Sequence, residues 1–246
     1  MSLDLETIPQ ANDFESRYGL PGARRAVSYE QRVVMGLLGD LRPGVLLDVG
    51  TGAGRLVNFP PPPEVIGVDP SPKELAWAKQ RYLGDSSKHF VLASPDDLPF
   101  RDEAFDFVTC IRVIKYLQDP ESAVAEMADA LKPGGRLVVD ISNKFAPAAI
   151  LRRIASWSRL HAPCRAYFSH GDGLRMMASV GLIPFSSRPL FKIDPVVWKA
   201  LGSDWLAGKV EKLERFLDGR TGVWFLSRYV AIACEKPFTP PDEAEG

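Results

Sequence analysis

The sequence predicts an α/β fold, a doubly wound sheet with helices on both faces. Three observations predict it. Short β-branched apolar runs alternate with amphipathic helical stretches through residues 26–141. The first run ends in a glycine-rich turn, Gly50-Thr51-Gly52-Ala53-Gly54. The chain has 246 residues, 46% hydrophobic and 25% charged, enough for one large domain of ordinary soluble composition.

Each element follows from its residues. Residues 26–40 carry Val27, Val34, Leu37 and Leu38 at helical spacing, and Arg42-Pro43-Gly44 breaks the helix. Val45–Val49 is apolar and β-branched, as buried parallel strands are. A second such run is Glu64–Asp69. Ser71 as N-cap and Pro72 in the first turn open a helix that reaches about Leu83. Residues 89–93 and 105–111 are the third and fourth strands. Asp119 and Pro120 open a helix over 119–131, Lys132-Pro133-Gly134-Gly135 ends it, and 136–141 is the fifth strand. Beyond lie an amphipathic helical segment at 145–160 and a helix at 169–180 stopped by Gly181. A sixth strand falls in 183–193, a helix at 208–218 and a seventh strand in 223–234. The alternation implies right-handed crossovers. The expected organisation is a single domain over 1–236, with a helical cap at 1–42 and a lid or substrate insert at 143–168. The proline- and acid-rich tail at 237–246 is expected to be disordered.

Composition excludes several functions. The net charge is −1, whereas a protein that grips a nucleic acid backbone carries a strong positive excess, so no nucleic acid partner is expected. Cys110, Cys164 and Cys234 are odd in number and far apart, which fits reduced thiols in the cytoplasm better than a disulfide framework. The N-terminal stretch lacks the basic and apolar regions of a secretory leader, and no apolar run is long enough to span a bilayer. No His, Asp or Glu spacing matches a metal site, so no metal is expected.

The glycine turn carries the chemistry. An apolar strand runs through Asp48 into Gly50, Gly52 and Gly54. Glycines allow left-handed backbone and close approach of a ligand. The turn should lead into a helix N-terminus, whose free N–H groups attract an anion, while Asp48 would attract a positively charged amino group. Asp69 ends the second strand, where a carboxylate can accept hydrogen bonds from both hydroxyls of a ribose. Together these features predict a nucleoside over the carboxyl ends of the strands. The dinucleotide fingerprint G-x-G-x-x-G/A competes, but here Arg55 occupies the sixth position and the third glycine falls at the fifth.

On four stretches the sequence resembles the class I S-adenosylmethionine (SAM)-dependent methyltransferases of the small-molecule type. They are LLDVGTGAGRL (46–56), VIGVDPSPKEL (65–75), VLASPDDLPFRDEAFDFVTCIRVIKYLQDP (91–120) and ALKPGGRLVV (130–139). The resemblance implies a Rossmann-like seven-stranded sheet, mostly parallel, with one antiparallel strand. It implies SAM as cofactor, with Gly50, Thr51, Gly52 and Gly54 around its methionine part and Asp48 near the ammonium. Asp69 would hold the ribose, Pro70 would pack by the adenine, and Ser94, Pro95 and Asp96 would border it. Cys110, Ile111 and Arg112 would line the space between cofactor and acceptor.

Two departures from the family pattern stand out. Many relatives have Asp-Ala where this chain has Ser94-Pro95, and Pro95 has no N–H to offer the adenine. Four prolines at 60–63 leave room for one or two helical turns after the glycine turn.

Methyl transfer needs a base only when the acceptor is a hydroxyl or an acidic carbon. His170 and Tyr116 are the candidates; His89 reads as structural, and His161, Tyr18 and Tyr29 as weaker alternatives. Acceptor choice would fall to residues 1–30 and the insert. The insert's apolar and arginine-bearing helix would act as a lid or lie on a membrane surface. The expected function is methyl transfer to a small or lipid-like acceptor. The alternatives are a catalytically silent SAM-binding module and, behind it, an RNA methyltransferase.

Overall fold

The computed structural model describes residues 19–41, 44–58, 64–147, 149–150, 166–193, 197–198, 201–218 and 226–238. The chain folds in the order α1 (Pro21–Leu38), β1 (Val45–Val49), β2 (Glu64–Asp69), α2 (Pro72–Arg81), β3 (Lys88–Leu92), β4 (Phe105–Cys110) and α3 (Pro120–Ala130). Then come β5 (Leu131–Ser142), α4 (His170–Ser179), β6 (Ile183–Leu190), α5 (Asp204–Asp218) and β7 (Tyr229–Glu235). A short 3-10 turn, Ile114–Tyr116, follows β4.

The strands form one seven-stranded sheet in the order β3-β2-β1-β4-β5-β7-β6. Strands β3, β2, β1, β4 and β5 pair in parallel. Strand β7 runs antiparallel between β5 and β6. The sheet is thus mostly parallel with one antiparallel strand, as expected.

Both faces are covered, so the central strands are buried on both sides. On one face Val124, Met127, Met176 and Met177 of α3 and α4 pack on Leu47, Val108, Val139 and Ile232. On the other, Val34, Leu37 and Leu38 of α1 pack with Trp198 on Val138, Ala231 and Ala233. Among the described residues no helix is long and apolar enough to cross a membrane.

Local chemistry sets the helix starts. The hydroxyl of Ser71 accepts the Glu74 N–H, and the carboxylate of Asp119 accepts the Ser122 N–H. Ser169 and Asp172 form a reciprocal capping box at α4.

Four expectations are corrected. Helix α1 starts at Pro21 rather than 26, because its first turn is buried through small residues that carry no apolar signal; a Cβ on Gly22 would stand 1.9 Å from the Trp198 carbonyl. The Lys132–Gly135 stretch stays in the sheet: Leu131 pairs with Phe105, and the Gly134 N–H donates to the Lys236 carbonyl at 2.7 Å. Helix α5 begins at Asp204, not 208. Most relevant to function, the described residues after the glycine turn, up to 58, hold no helix N-terminus. Residues 52–54 form a turn and 55–58 are irregular, consistent with the prolines that follow. Residues 147, 149 and 150 are helical and fall at the start of the 145–160 expectation, whose remainder from 151 on, with His161, lies outside the described residues. Residues 1–18, with Tyr18, and the tail from 239 on also lie outside them.

Candidate active site

Strand order reverses between β1 and β4, and at such a point the carboxyl ends of the strands diverge into a crevice. A cleft of about 690 Å³ opens there, a size suited to small ligands. Its wall runs from Gly50 through Asp69 and Pro70 to Ser94, Pro95 and Asp96, and on to Arg112, Val113, Tyr116 and Asp119. The structure therefore brings Gly50, Asp69, Pro70, Ser94, Pro95, Asp96, Arg112 and Tyr116 to one surface. Asp48, Thr51, Gly52, Gly54, Cys110 and Ile111 stand behind it.

The glycine turn closes onto β2. The N–H groups of Gly50 and Thr51 both donate to the Val68 carbonyl, at 2.8 and 2.9 Å. Gly50 has φ 72°, and a Cβ there would stand 2.1 Å from Val113 Cγ2, so only glycine fits against the segment after β4. Gly52 has φ 55°, yet a Cβ there would meet nothing nearer than 3.8 Å. The Gly54 carbonyl accepts the Tyr82 hydroxyl at 2.8 Å, tying the turn to the end of α2.

Asp69 is the hinge of this arrangement. One carboxylate oxygen accepts the Gly52 N–H at 2.9 Å and the other accepts the Ser71 N–H at 2.9 Å. Burial pushes its carboxyl up, and the two N–H donors pull it partly back. Asp48 lies beneath the turn, 3% exposed, and accepts the Thr109 hydroxyl at 2.7 Å. Burial raises its carboxyl too. Residues 94–97 form a tight turn in which the Ser94 hydroxyl meets the Asp96 carboxylate and the Asp97 N–H donates to the Ser94 carbonyl.

Arg112 adopts the left-handed backbone, φ 71°, which is rare for a residue with a side chain. Its neighbours fix it there. Its backbone N–H donates to Asp140 at 2.6 Å, and its Nε donates to Glu30 at 2.7 Å. Its guanidinium lies 4.1 Å from the centre of the Tyr229 ring. Glu30, 1% exposed on α1, also pairs with Arg55, the residue after the glycine turn. Burial alone would raise the Glu30 carboxyl, but Arg112 and Arg55 together bring it below its ordinary value. Behind Arg112 the Lys115 ammonium donates to the Tyr229 hydroxyl at 3.0 Å.

Sequence reasoning missed Glu30, Arg55, Lys115, Asp140 and Tyr229. Glu30 left one signal: it stands four residues before Val34 and seven before Leu37, on the buried stripe of α1, where an unpaired acid would be costly. The candidate proton acceptors separate in space. Tyr116 lines the cleft and is half-exposed. His170 opens α4, with Nε2 2.9 Å from the Ser187 hydroxyl on β6, and burial lowers its imidazole. His89 sits on β3, 3.6 Å from Glu64, and Tyr29 is buried between Phe191 and Trp198. Cys110 and Ile111 are buried. Among the described residues no cluster of His, Cys, Asp or Glu could hold a metal ion.

Comparison with known proteins shows what the chain resembles. A methyltransferase-domain family profile matches residues 47–139, from β1 to β5. A ubiquinone/menaquinone biosynthesis C-methyltransferase of Desulfotalea psychrophila is 33% identical over 129 residues, covering 50% of this chain and 52% of that protein. The chain thus matches about half the length of such curated relatives. Among solved structures, a SAM-dependent methyltransferase of Thermotoga maritima superposes with a TM-score of 0.68 at 23% identity, covering 92% of this chain and 95% of that one. The geranyl diphosphate C-methyltransferase of Streptomyces coelicolor gives 0.61 at 23% identity, covering 85% and 79%. At those identities the likeness is one of fold.

Proposed function

We propose that the chain is a class I SAM-dependent methyltransferase that moves the methyl group of SAM to a small lipophilic acceptor. The observation that carries this reading is the Asp69 carboxylate at the tip of β2, on the wall of a cleft that starts at Gly50. SAM, when bound, supplies a methyl group activated by a positively charged sulfur.

The chain's residues fit that ligand. Each Asp69 oxygen accepts one backbone N–H, which leaves lone pairs for the ribose hydroxyls. Asp48 places a carboxylate beneath the turn, where it draws the ammonium. The open space at Gly52 lets the chain of the ligand pass close to the backbone. Pro70 and Pro95 offer apolar faces to the adenine, and Asp96 accepts from its amino group, while Pro95 offers no N–H to its ring nitrogen. The N–H groups of Gly50, Thr51 and Gly52 are occupied within the fold, so positive charge on the ligand, rather than its carboxylate, is what this turn recognises.

Transfer is an in-line displacement, and the enzyme acts mainly by positioning the acceptor and excluding water. Val113, Tyr116 and Leu117 give the cleft an apolar end for the acceptor. Tyr116 is the group within this cleft that would take or hold an acceptor proton; His170 would serve only an acceptor reaching α4. A lipophilic acceptor agrees with relatives that are named as quinone and geranyl diphosphate C-methyltransferases. A silent SAM-binding module is the second reading, favoured by the missing helix N-terminus.

Incubation with methyl-labelled SAM and a panel of quinols and prenyl diphosphates tests both. Label in an organic-extractable product supports transfer. SAM binding with no label in any product supports the silent module, and thermal protection by NADH but not SAM overturns both.

A further inference from the structure

Helix α5 is amphipathic in the inverted sense. Its buried face carries Ala207, Glu211 and Glu214, at 0, 7 and 0% exposure, while Trp205, Leu206, Leu213 and Phe216 are 66, 45, 47 and 58% exposed. The buried acids have structural partners. Glu211 is bracketed by Arg25, Arg32 and Arg215 at 3.0, 2.6 and 2.6 Å. Glu214 accepts the N–H groups of Lys192 and Ile193, which follow β6. A soluble helix ordinarily turns its apolar stripe inward; this one buries only Ala207 and, in part, Val210 beside its glutamates and turns four large apolar side chains to solvent.

The outward face is also basic. Lys209 and Lys212 are exposed on it, with the Lys209 ammonium 4.3 Å from the centre of the Trp205 ring. At 3.6 residues per turn, 205, 209, 212, 213 and 216 fall on one side, and no carboxylate lies among them. Aromatic and aliphatic side chains interleaved with lysines, their stems lying along apolar surface, are the pattern of a helix lying in the plane of a membrane interface.

Its place in the fold fits that use. The C-terminal end of α1 reaches Arg136 in the middle of β5, which donates to the Leu38 carbonyl, while Glu30, nearer its N-terminus, accepts from Arg112 just past the carboxyl end of β4. The N-terminal end of α1 therefore lies at the carboxyl edge of the sheet, and Arg25 near that end binds Asp204 and Glu211 of α5. Helix α5 thus sits at the edge that carries the cleft.

We propose that the Trp205–Phe216 face of α5 docks the protein on an anionic lipid surface. The opposite charge of the lysines selects anionic headgroups, and the apolar side chains insert at the headgroup boundary. This assigns membrane contact to α5, and it stands whatever the acceptor proves to be.

Co-sedimentation of the full chain with vesicles of phosphatidylcholine, with and without phosphatidylglycerol, tests the proposal. The protein should bind the anionic vesicles more than about tenfold better than the neutral ones. Trp205→Ser and the pair Lys209→Glu with Lys212→Glu should each lose that preference, while SAM affinity, a check on folding and on the site itself, stays unchanged. Failure to bind anionic vesicles, or equal binding by the lysine variant, overturns the proposal. So does a dimer in sedimentation velocity that Trp205→Ser dissociates, since the face would then belong to a second copy.

Discussion

Glu30 stands between the guanidinium groups of Arg55 and Arg112, and the three tie α1 to the glycine turn and to the end of β4. Glu30→Gln leaves the largely buried Arg55 without its counter-charge and Arg112 with Asp140 alone, a change that costs about 3 kcal/mol. Urea denaturation should read that loss, and SAM affinity should fall with it because Arg112 walls the cleft. The carboxyl of Glu30 lies below its ordinary value in the folded state. Its contribution is therefore full above the unfolded value and disappears as pH falls through the folded one. Two glycines should behave differently. Gly50→Ala drives a methyl into Val113 and should lower stability and SAM affinity together. Gly52→Ala finds room, pays about 1–2 kcal/mol for its left-handed backbone, and should lose SAM affinity beyond that. Tyr229 gives a pH signature. Burial would raise its phenol, but Arg112 and Lys115 outweigh burial and bring it below the ordinary value. Ultraviolet titration should show one tyrosine ionising early, and Arg112→Ala should move that transition up.

At the scale of elements, caps were the most legible feature. Ser71 and Asp119 each precede their helix as their side-chain chemistry requires, and the structure adds Ser169 as the cap of α4. Ser169→Ala should cost about 1 kcal/mol in thermal or urea unfolding through loss of the α4 cap. Asp172, bonded to Ser169 and Lys144, is drawn well below the usual carboxylate range. Its support of α4 is thus complete above the unfolded carboxylate value and fades only at strongly acidic pH. Elements whose burial runs against residue type were poorly legible. The first turn of α1 packs through Gly22 and Ala23, and α5 buries glutamates. Apolar periodicity detects neither. The four prolines did announce the loss of a helix after the glycine turn, although a short first turn was still expected there.

For the whole molecule, alternation of strand and helix was enough to foresee a doubly wound sheet, because crossovers between parallel strands have one favoured hand. The antiparallel strand came from family resemblance alone, since nothing local in 223–234 encodes its direction. The cleft was legible where its residues are neighbours in sequence, as in Gly50 or Ser94 to Asp96. Its support was not, because Glu30, Arg55, Asp140 and Tyr229 gather around Arg112 only through the fold. The central claim is that the crevice between β1 and β4, with Asp69 at its lip, receives an adenosyl sulfonium. Calorimetric titration of SAM into the wild-type chain and into Asp69→Ala tests it most directly. The account predicts one SAM per chain with micromolar affinity, weakened more than about tenfold in the variant. No heat in the wild type, or equal affinity in the two proteins, would contradict it.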